Sequence, residues 1–194
     1  VRAHQWADRF LSVALSANVH RAVYRGTFVE CAGVGVCNPE KRGSSVRPRC
    51  IVVGEGALPR RCVEIARESG LDIVGLVSPS RELVTWAASV DVHGVVQEEI
   101  EAFTAVTPHD YLLCIFSFAS ISETVLRRPV SMAINFHDSL LPTYAGFNTT
   151  TWAIADDQST HGVSWHVMTP VLDGGPLLLQ EEVPIYPGDR AVQL

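Results

Sequence analysis

The 194-residue chain has no apolar run approaching the ~20 residues that cross a bilayer, so no membrane partner is expected. It has no basic excess: 15 lysines and arginines stand against 21 acids, and a net charge of −6 points away from nucleic acid as a partner. It has no close CxxC pair, and its five cysteines are an odd set: Cys31, Cys37, Cys50, Cys62 and Cys114. Cys50 and Cys114 fall in apolar, strand-like runs, where a thiol reads as a small buried hydrophobe. Reduced thiols of that kind imply a reducing, cytoplasmic setting. Internal repeats are absent. No spaced set of His and Cys accompanies His161 and His166, which reads against a zinc site.

What is present is an ordinary packed composition, 47% hydrophobic and 19% charged, enough for one domain with an appendage. The appendage is residues 1–49. Trp6, Phe10, Val13, Ala14 and Ala17 recur at helical spacing, so Val1–Tyr24 reads as an amphipathic helix. It reads equally as the end of a preceding domain or a docking segment. Phe10–Ala17, flanked by Arg2 and Arg9, has the small residues of a leader peptide, but it is short and interrupted by serines. The turn-rich, basic stretch Gly33–Arg49 reads as a linker.

From Cys50 short apolar runs alternate with helical patterns. Strands are expected at Cys50–Gly54, Ile73–Val77, Val92–Val96, Tyr111–Phe116 and Ala133–Phe136. Helices are expected at Leu58–Ser69, Arg81–Ser89, Glu98–Phe103, Ser122–Arg127 and Thr149–Ala155. This alternation predicts an α/β domain over residues 50–194: a mostly parallel sheet flanked by helices on both faces, with right-handed crossovers. Gly162–Met168 and Pro176–Ile185 then read as two strands pairing antiparallel. Gly54-Glu-Gly56 opens the first helix like half of a dinucleotide fingerprint. Pro59 stands where the third glycine belongs, and Ser78-Pro-Ser80 replaces the expected acid, so a tight strand-to-helix turn is the better reading.

The segment that carries chemistry is Ala133-Ile-Asn-Phe-His-Asp-Ser-Leu-Leu-Pro142. Asn135 and His137 alternate, which places them on one strand face. They sit at the carboxyl end of a parallel strand, where open α/β sheets build their sites. An asparagine amide donates and a histidine donates or shuttles a proton, so the pair suits a carbonyl that becomes a tetrahedral oxyanion. A loop histidine capping backbone groups is the better reading of Asn-x-His in isolation; the rigid loop that Pro142 and Gly146 shape after the pair reverses it. Thr169-Pro-Val-Leu-Asp173-Gly-Gly adds an acid in a Gly/Pro loop, which by itself is ordinary turn chemistry. His161 precedes a glycine and reads as an exposed turn residue; His166 alternates with Ser164 and faces either the site or solvent.

Four runs closely resemble the formyltransferase family when taken together: Ile134-Asn-Phe-His-Asp-Ser-Leu-Leu-Pro142, Trp152-Ala-Ile154, His161-Gly-Val-Ser-Trp-His166 and Leu172-Asp-Gly-Gly-Pro-Leu-Leu178. The resemblance covers roughly residues 50–194. It implies a Rossmann-like formyltransferase fold and Asn135, His137 and Asp173 as the catalytic set. It also implies 10-formyltetrahydrofolate as donor, with its pterin against the backbone of Phe118, Ala119, Ser120 and Ile121. Thr169, Pro170 and Val171 would close the other side.

Several relatives carry Arg-Gly after the proline. Here the loop reads Tyr144-Ala-Gly-Phe-Asn-Thr-Thr-Thr-Trp152, with no arginine, and looks most similar to the formylation domains of nonribosomal peptide synthetases. Their acceptor is an aminoacyl group on a carrier protein. Amino-sugar nucleotide, methionyl-tRNA and purine formyltransferases, a formyl-folate hydrolase and a non-catalytic binding module are the other readings. Phe147, Asn148 and Thr149 read also as a helix N-cap with its staple. The chain ends at Leu194, where the resemblance implies a further helix, so the expectation is a catalytic domain short at its C-terminal end.

Overall fold

A computed structural model describes residues 47–191; the helix expected over Val1–Tyr24 and nearly all of the linker after it lie outside them. The element order is β1 (Arg49–Gly54), α1 (Ala57–Glu68), β2 (Asp72–Ser78), α2 (Arg81–Ser89), β3 (Gly94–Val96), a 3-10 turn (Gln97–Glu99), α3 (Ile100–Val106), β4 (Tyr111–Ile115), α4 (Glu123–Leu126), β5 (Met132–His137), α5 (Thr149–Ala155), β6 (Thr160–Val167) and β7 (Leu177–Pro184). The strands form one sheet in the order β3-β2-β1-β4-β5-β6-β7. The first five pair in parallel, and β6 and β7 pair antiparallel at one edge.

Alternation along each strand sorts side chains into two cores. Cys50, Val52, Leu113, Ile115, Ile134, Phe136 and Trp165 pack on one face beneath α1 and α2. Ile51, Val53, Leu112 and Ala133 pack on the other with Ile100 of α3 and Val125 of α4. Both faces are covered, which is why the parallel strands are continuous apolar runs. The sheet grows outward from β1 in both directions, so the winding reverses between β1 and β4. Clefts open outside the carboxyl ends of strands at such a point. Because Ile134 and Phe136 belong to the first core, Asn135 and His137 take the opposite face, that of α3 and α4.

Local chemistry sets the element ends. A Cβ on Gly54 would lie 1.8 Å from the Ile115 carbonyl oxygen, and Gly56 has φ 78°. Together with the Glu55 N–H donating to Phe116 O (3.1 Å), they make the tight strand-to-helix turn that the sequence predicts. Ser80 and Ser122 cap α2 and α4 through their hydroxyls. β3 begins at Gly94, two residues later than expected, because Val92 N–H bonds back to Ala87 O at the end of α2 (2.9 Å). The N-cap expected at Asn148 differs too. Asn148 occupies that position in the left-handed region, φ 59°, and its side chain caps nothing; the Thr149 hydroxyl donates to Asp138 O at 2.6 Å instead. Cys50, Cys62 and Cys114 are free and buried.

Candidate active site

β5 presents Asn135 and His137 at its carboxyl end, and the β6–β7 connection presents Asp173 over them. Antiparallel pairing places His166 of β6 directly opposite Asn135, and Ser164 opposite His137. The four polar groups converge. Asn135 Nδ2 lies 3.1 Å from His166 Nε2. Asp173 lies between the two histidines, Oδ1 at 3.5 Å from His166 Nε2 and Oδ2 at 3.7 Å from His137 Nδ1. The side chains of both histidines and Asp173 are at most 7% exposed. At that burial charges interact far more strongly than in water.

Asp173 has φ 49°, a left-handed backbone that aspartate tolerates better than most residues. Its Oδ2 accepts from Gly146 N–H at 2.7 Å, so the carboxylate ties its own loop to the loop after β5. Gly146 has φ 98°, which a side chain would resist. His137 Nε2 donates to the Tyr144 carbonyl at 3.0 Å; a carbonyl only accepts, so the Nε2 proton is fixed and Nδ1 faces Asp173.

The loop is held from behind as well. Ser164 Oγ donates to Ser139 O (2.5 Å) and accepts from Leu141 N–H (3.1 Å). Gln180 of β7 donates to Leu141 O (2.8 Å) and to Ser164 Oγ (2.9 Å). Ser139 Oγ donates to Thr143 O (2.7 Å), next to the carbonyl that holds His137.

Burial depresses the pKa of His166, opposed by its bond to the Val167 carbonyl and the charge of Asp173. The His161 pKa is lowered chiefly by desolvation as well. His161 is not the exposed turn residue expected. β6 starts at Thr160, so His161 lies inside the strand at 5% exposure, its ring 6.5 Å from that of Tyr144. Cys114, opposite Asn135 on β4, has its thiol pushed up to about 12 by burial, which removes it as a nucleophile near neutrality.

Phe118, Ala119, Ser120 and Ile121 form the irregular segment between β4 and α4, and Ile121 packs against the second core. Among the described residues, none makes a backbone–backbone hydrogen bond to these four. Phe118 is 56% exposed and its ring touches those of Phe116 and Phe147. Thr169, Pro170 and Val171 precede Asp173, and the Thr169 hydroxyl donates to Val171 O at 3.1 Å. From the sequence, His166 stays undecided, Gly146 only shapes the loop after the Asn/His pair together with Pro142, and Tyr144 has no contact role; the β5–β6 register, had it been fixed from sequence, would have turned His166 inward.

Phosphoribosylglycinamide formyltransferase of Escherichia coli (strain K12) is 46% identical over 69 residues, 36% of this chain and 32% of that protein. GDP-perosamine N-formyltransferase of Brucella melitensis is 33% identical over 97 residues, 50% of this chain and 38% of that one. The matched stretches thus span well under half the length of these relatives. The solved structure of glycinamide ribonucleotide transformylase 1 from Geobacillus kaustophilus superposes with a TM-score of 0.67 at 24% identity, covering 76% of this chain and 88% of that one, and shares its fold. The family model described as formyl transferase matches residues 61–194, and the chain belongs to that family.

Proposed function

We propose that this chain transfers a formyl group from 10-formyltetrahydrofolate to a primary amine, with Asn135, His137 and Asp173 as its catalytic residues. One observation carries the reading: a buried carboxylate stands 3.7 Å from a histidine whose other nitrogen is tied to a carbonyl, beside an asparagine amide on the same strand face. The donor supplies the formyl carbon that the amine attacks. As the formyl oxygen gains negative charge, Asn135 Nδ2–H and His137 Nδ1–H donate to it. Such a donor is typically worth ~2.7–4 kcal/mol of barrier. Asp173 offsets the positive charge on His137 and takes up the amine's proton, directly or through water; that proton passes to the donor's N10 as the bond from N10 to the formyl carbon breaks, so that tetrahydrofolate leaves and the formylated amine remains. Its bond from Gly146 N–H keeps one oxygen aimed at this gap. Phe118 to Ile121 on one side and Thr169 to Val171 on the other would hold the pterin through their backbones.

The acceptor in this reading is an aminoacyl group held as a thioester on a peptidyl carrier protein. Its support is what the acceptor side lacks. No lysine or arginine occurs between Arg128 and Arg190, so neither the loop after β5 nor the aspartate loop brings a cation to the site. Lysine and arginine are frequent phosphate ligands. An acceptor with phosphate close to its amine is therefore a poorer fit than a neutral aminoacyl end. The 33% identical stretch shared with GDP-perosamine N-formyltransferase supports an amino-sugar nucleotide as the second reading. The test offers 10-formyltetrahydrofolate with aminoacyl carrier protein, amino-sugar nucleotide, glycinamide ribonucleotide and methionyl-tRNA in parallel, read by mass spectrometry. A formyl mass gain on the carrier-bound amino acid alone supports the proposal. Gain on another acceptor corrects the acceptor. Formate release without any amine overturns transfer in favour of hydrolysis.

A further inference from the structure

His166 stands outside the three residues that the proposed chemistry uses, yet it is 2% exposed and touches two of them. Its Nδ1 lies 3.0 Å from the Val167 carbonyl oxygen. A carbonyl accepts only, so Nδ1 carries a proton. In the neutral ring Nε2 is then a bare acceptor, and the group 3.1 Å away must be a donor. That fixes which end of the Asn135 amide faces β6: the NH2 group, with one of its two N–H bonds spent on His166. The other N–H remains for the site.

The alternative state has opposite consequences. A second proton on Nε2 would face an NH2 group that cannot accept it. Either the amide turns over and presents its oxygen, or the proton is shared with Asp173 Oδ1 at 3.5 Å. The first removes the donor from the site, and the second diverts the carboxylate from His137. The groups facing His166 are Asn135 and His137 from β5 and Asp173 from the loop before β7. The His137 and His166 ring centroids are 6.5 Å apart, so two imidazolium charges there would also repel. Burial acts in the same direction, favouring the neutral ring.

We propose that His166 is a positioning residue: as the neutral Nδ1–H tautomer, it locks the Asn135 amide so that an N–H, and not the carbonyl oxygen, faces the reacting formyl oxygen. The inference rests on the formyl-transfer reading for its kinetic consequence and on geometry alone for the tautomer. Two measurements separate them. In the first, 15N NMR of the ring nitrogens in the whole chain reads the tautomer without any turnover. A protonated Nδ1 and an unprotonated Nε2 near neutrality are expected; an imidazolium, or a proton on Nε2, overturns the proposal.

The second compares His166→Leu with His166→Gln. The leucine variant removes the acceptor, and kcat is expected to fall about 10²-fold while the donor KM moves little. In the glutamine variant Oε1 can stand where Nε2 stood, and kcat is expected to recover most of the loss. Equal kcat in wild type and leucine variant overturns the proposal, as does a glutamine variant no better than leucine. If the leucine variant does not fold, the pH profiles of wild type and glutamine variant decide. Wild type should lose kcat on acidification through protonation of His166, and the glutamine variant should lose less. Identical acid limbs overturn the proposal. Failure of transfer with the expected tautomer intact would count against the reaction and leave the tautomer standing.

Discussion

Replacing Asp173 by asparagine isolates the charge at this site from its geometry. The asparagine side chain is isosteric, and its oxygen can keep the 2.7 Å bond from Gly146 N–H, so the loop stays tied. What disappears is the carboxylate's capacity to take up the amine's proton, together with its attraction for the positive charge that His137 carries while it donates to the formyl oxygen. At 3.7 Å in an effective dielectric near 20, that attraction is about 4 kcal/mol. Both side chains are more than nine-tenths buried, so solvent screening takes only part of it. A loss of half this energy from the transition state lowers kcat about 30-fold, and the whole of it about 10³-fold. The assay is single-turnover formyl transfer, with thermal unfolding in parallel to show that the fold persists. An Asp173→Asn protein that is folded and turns over within about threefold of wild type would refute the reasoning. Asp173 would then be a loop tie through Gly146 and nothing more.

Three further outcomes follow from the same contacts. Gly54→Ala forces a methyl 1.8 Å from the Ile115 carbonyl oxygen and should destabilise the fold by more than ~2 kcal/mol, read by denaturant midpoint; an unchanged midpoint would mean the β1–β4 approach is looser than described. Ser164→Ala leaves the Leu141 amide without the hydroxyl that it reaches at 3.1 Å, and should cost ~1–3 kcal/mol while also lowering kcat, because that loop carries the carbonyl that orients His137; a fall in stability with kcat intact would contradict the coupling. His109, His161 and His166 all have pKa values lowered from 6.5, with burial the largest cause in each. The unfolded chain therefore binds protons first as pH falls. Stability is fully present above about 6.5 and declines as pH drops below it toward the folded values. The thermal midpoint should fall between about pH 7.5 and pH 5.5, and a midpoint that rose on acidification would contradict the buried, neutral assignment.

The parallel part of the fold was legible because each strand is a short apolar run with a helix-period segment after it. The α2 and α5 bounds coincide with those expected, because nothing non-local competes there. Where expectation and structure part, a distant group decides. Val92 gives its amide to the end of α2 instead of the sheet. His161 is drawn into β6 by pairing with Val183 of β7. Asn148 loses its capping role to a left-handed turn, as Thr149 bonds the Asp138 carbonyl 11 residues back. The same distinction runs through the site. Asn135 and His137 could be placed on one face from alternation alone. His166 could not, since its direction depends on the β5–β6 register, set by residues about 30 positions apart. The tie from Gly146 to Asp173 crosses 27 residues, and no local pattern announces it.

The most direct test follows a labelled formyl carbon. The whole chain is incubated with 10-formyltetrahydrofolate carrying the label and with aminoacyl carrier protein, and the label is traced with wild type and with His137→Ala. Formyl transfer through Asn135, His137 and Asp173 should put label on the amino group with wild type, in step with loss from the folate, with at least a 10²-fold slower appearance with the variant. Label retained on the folate with wild type, or transfer at equal rates with both proteins, would contradict it.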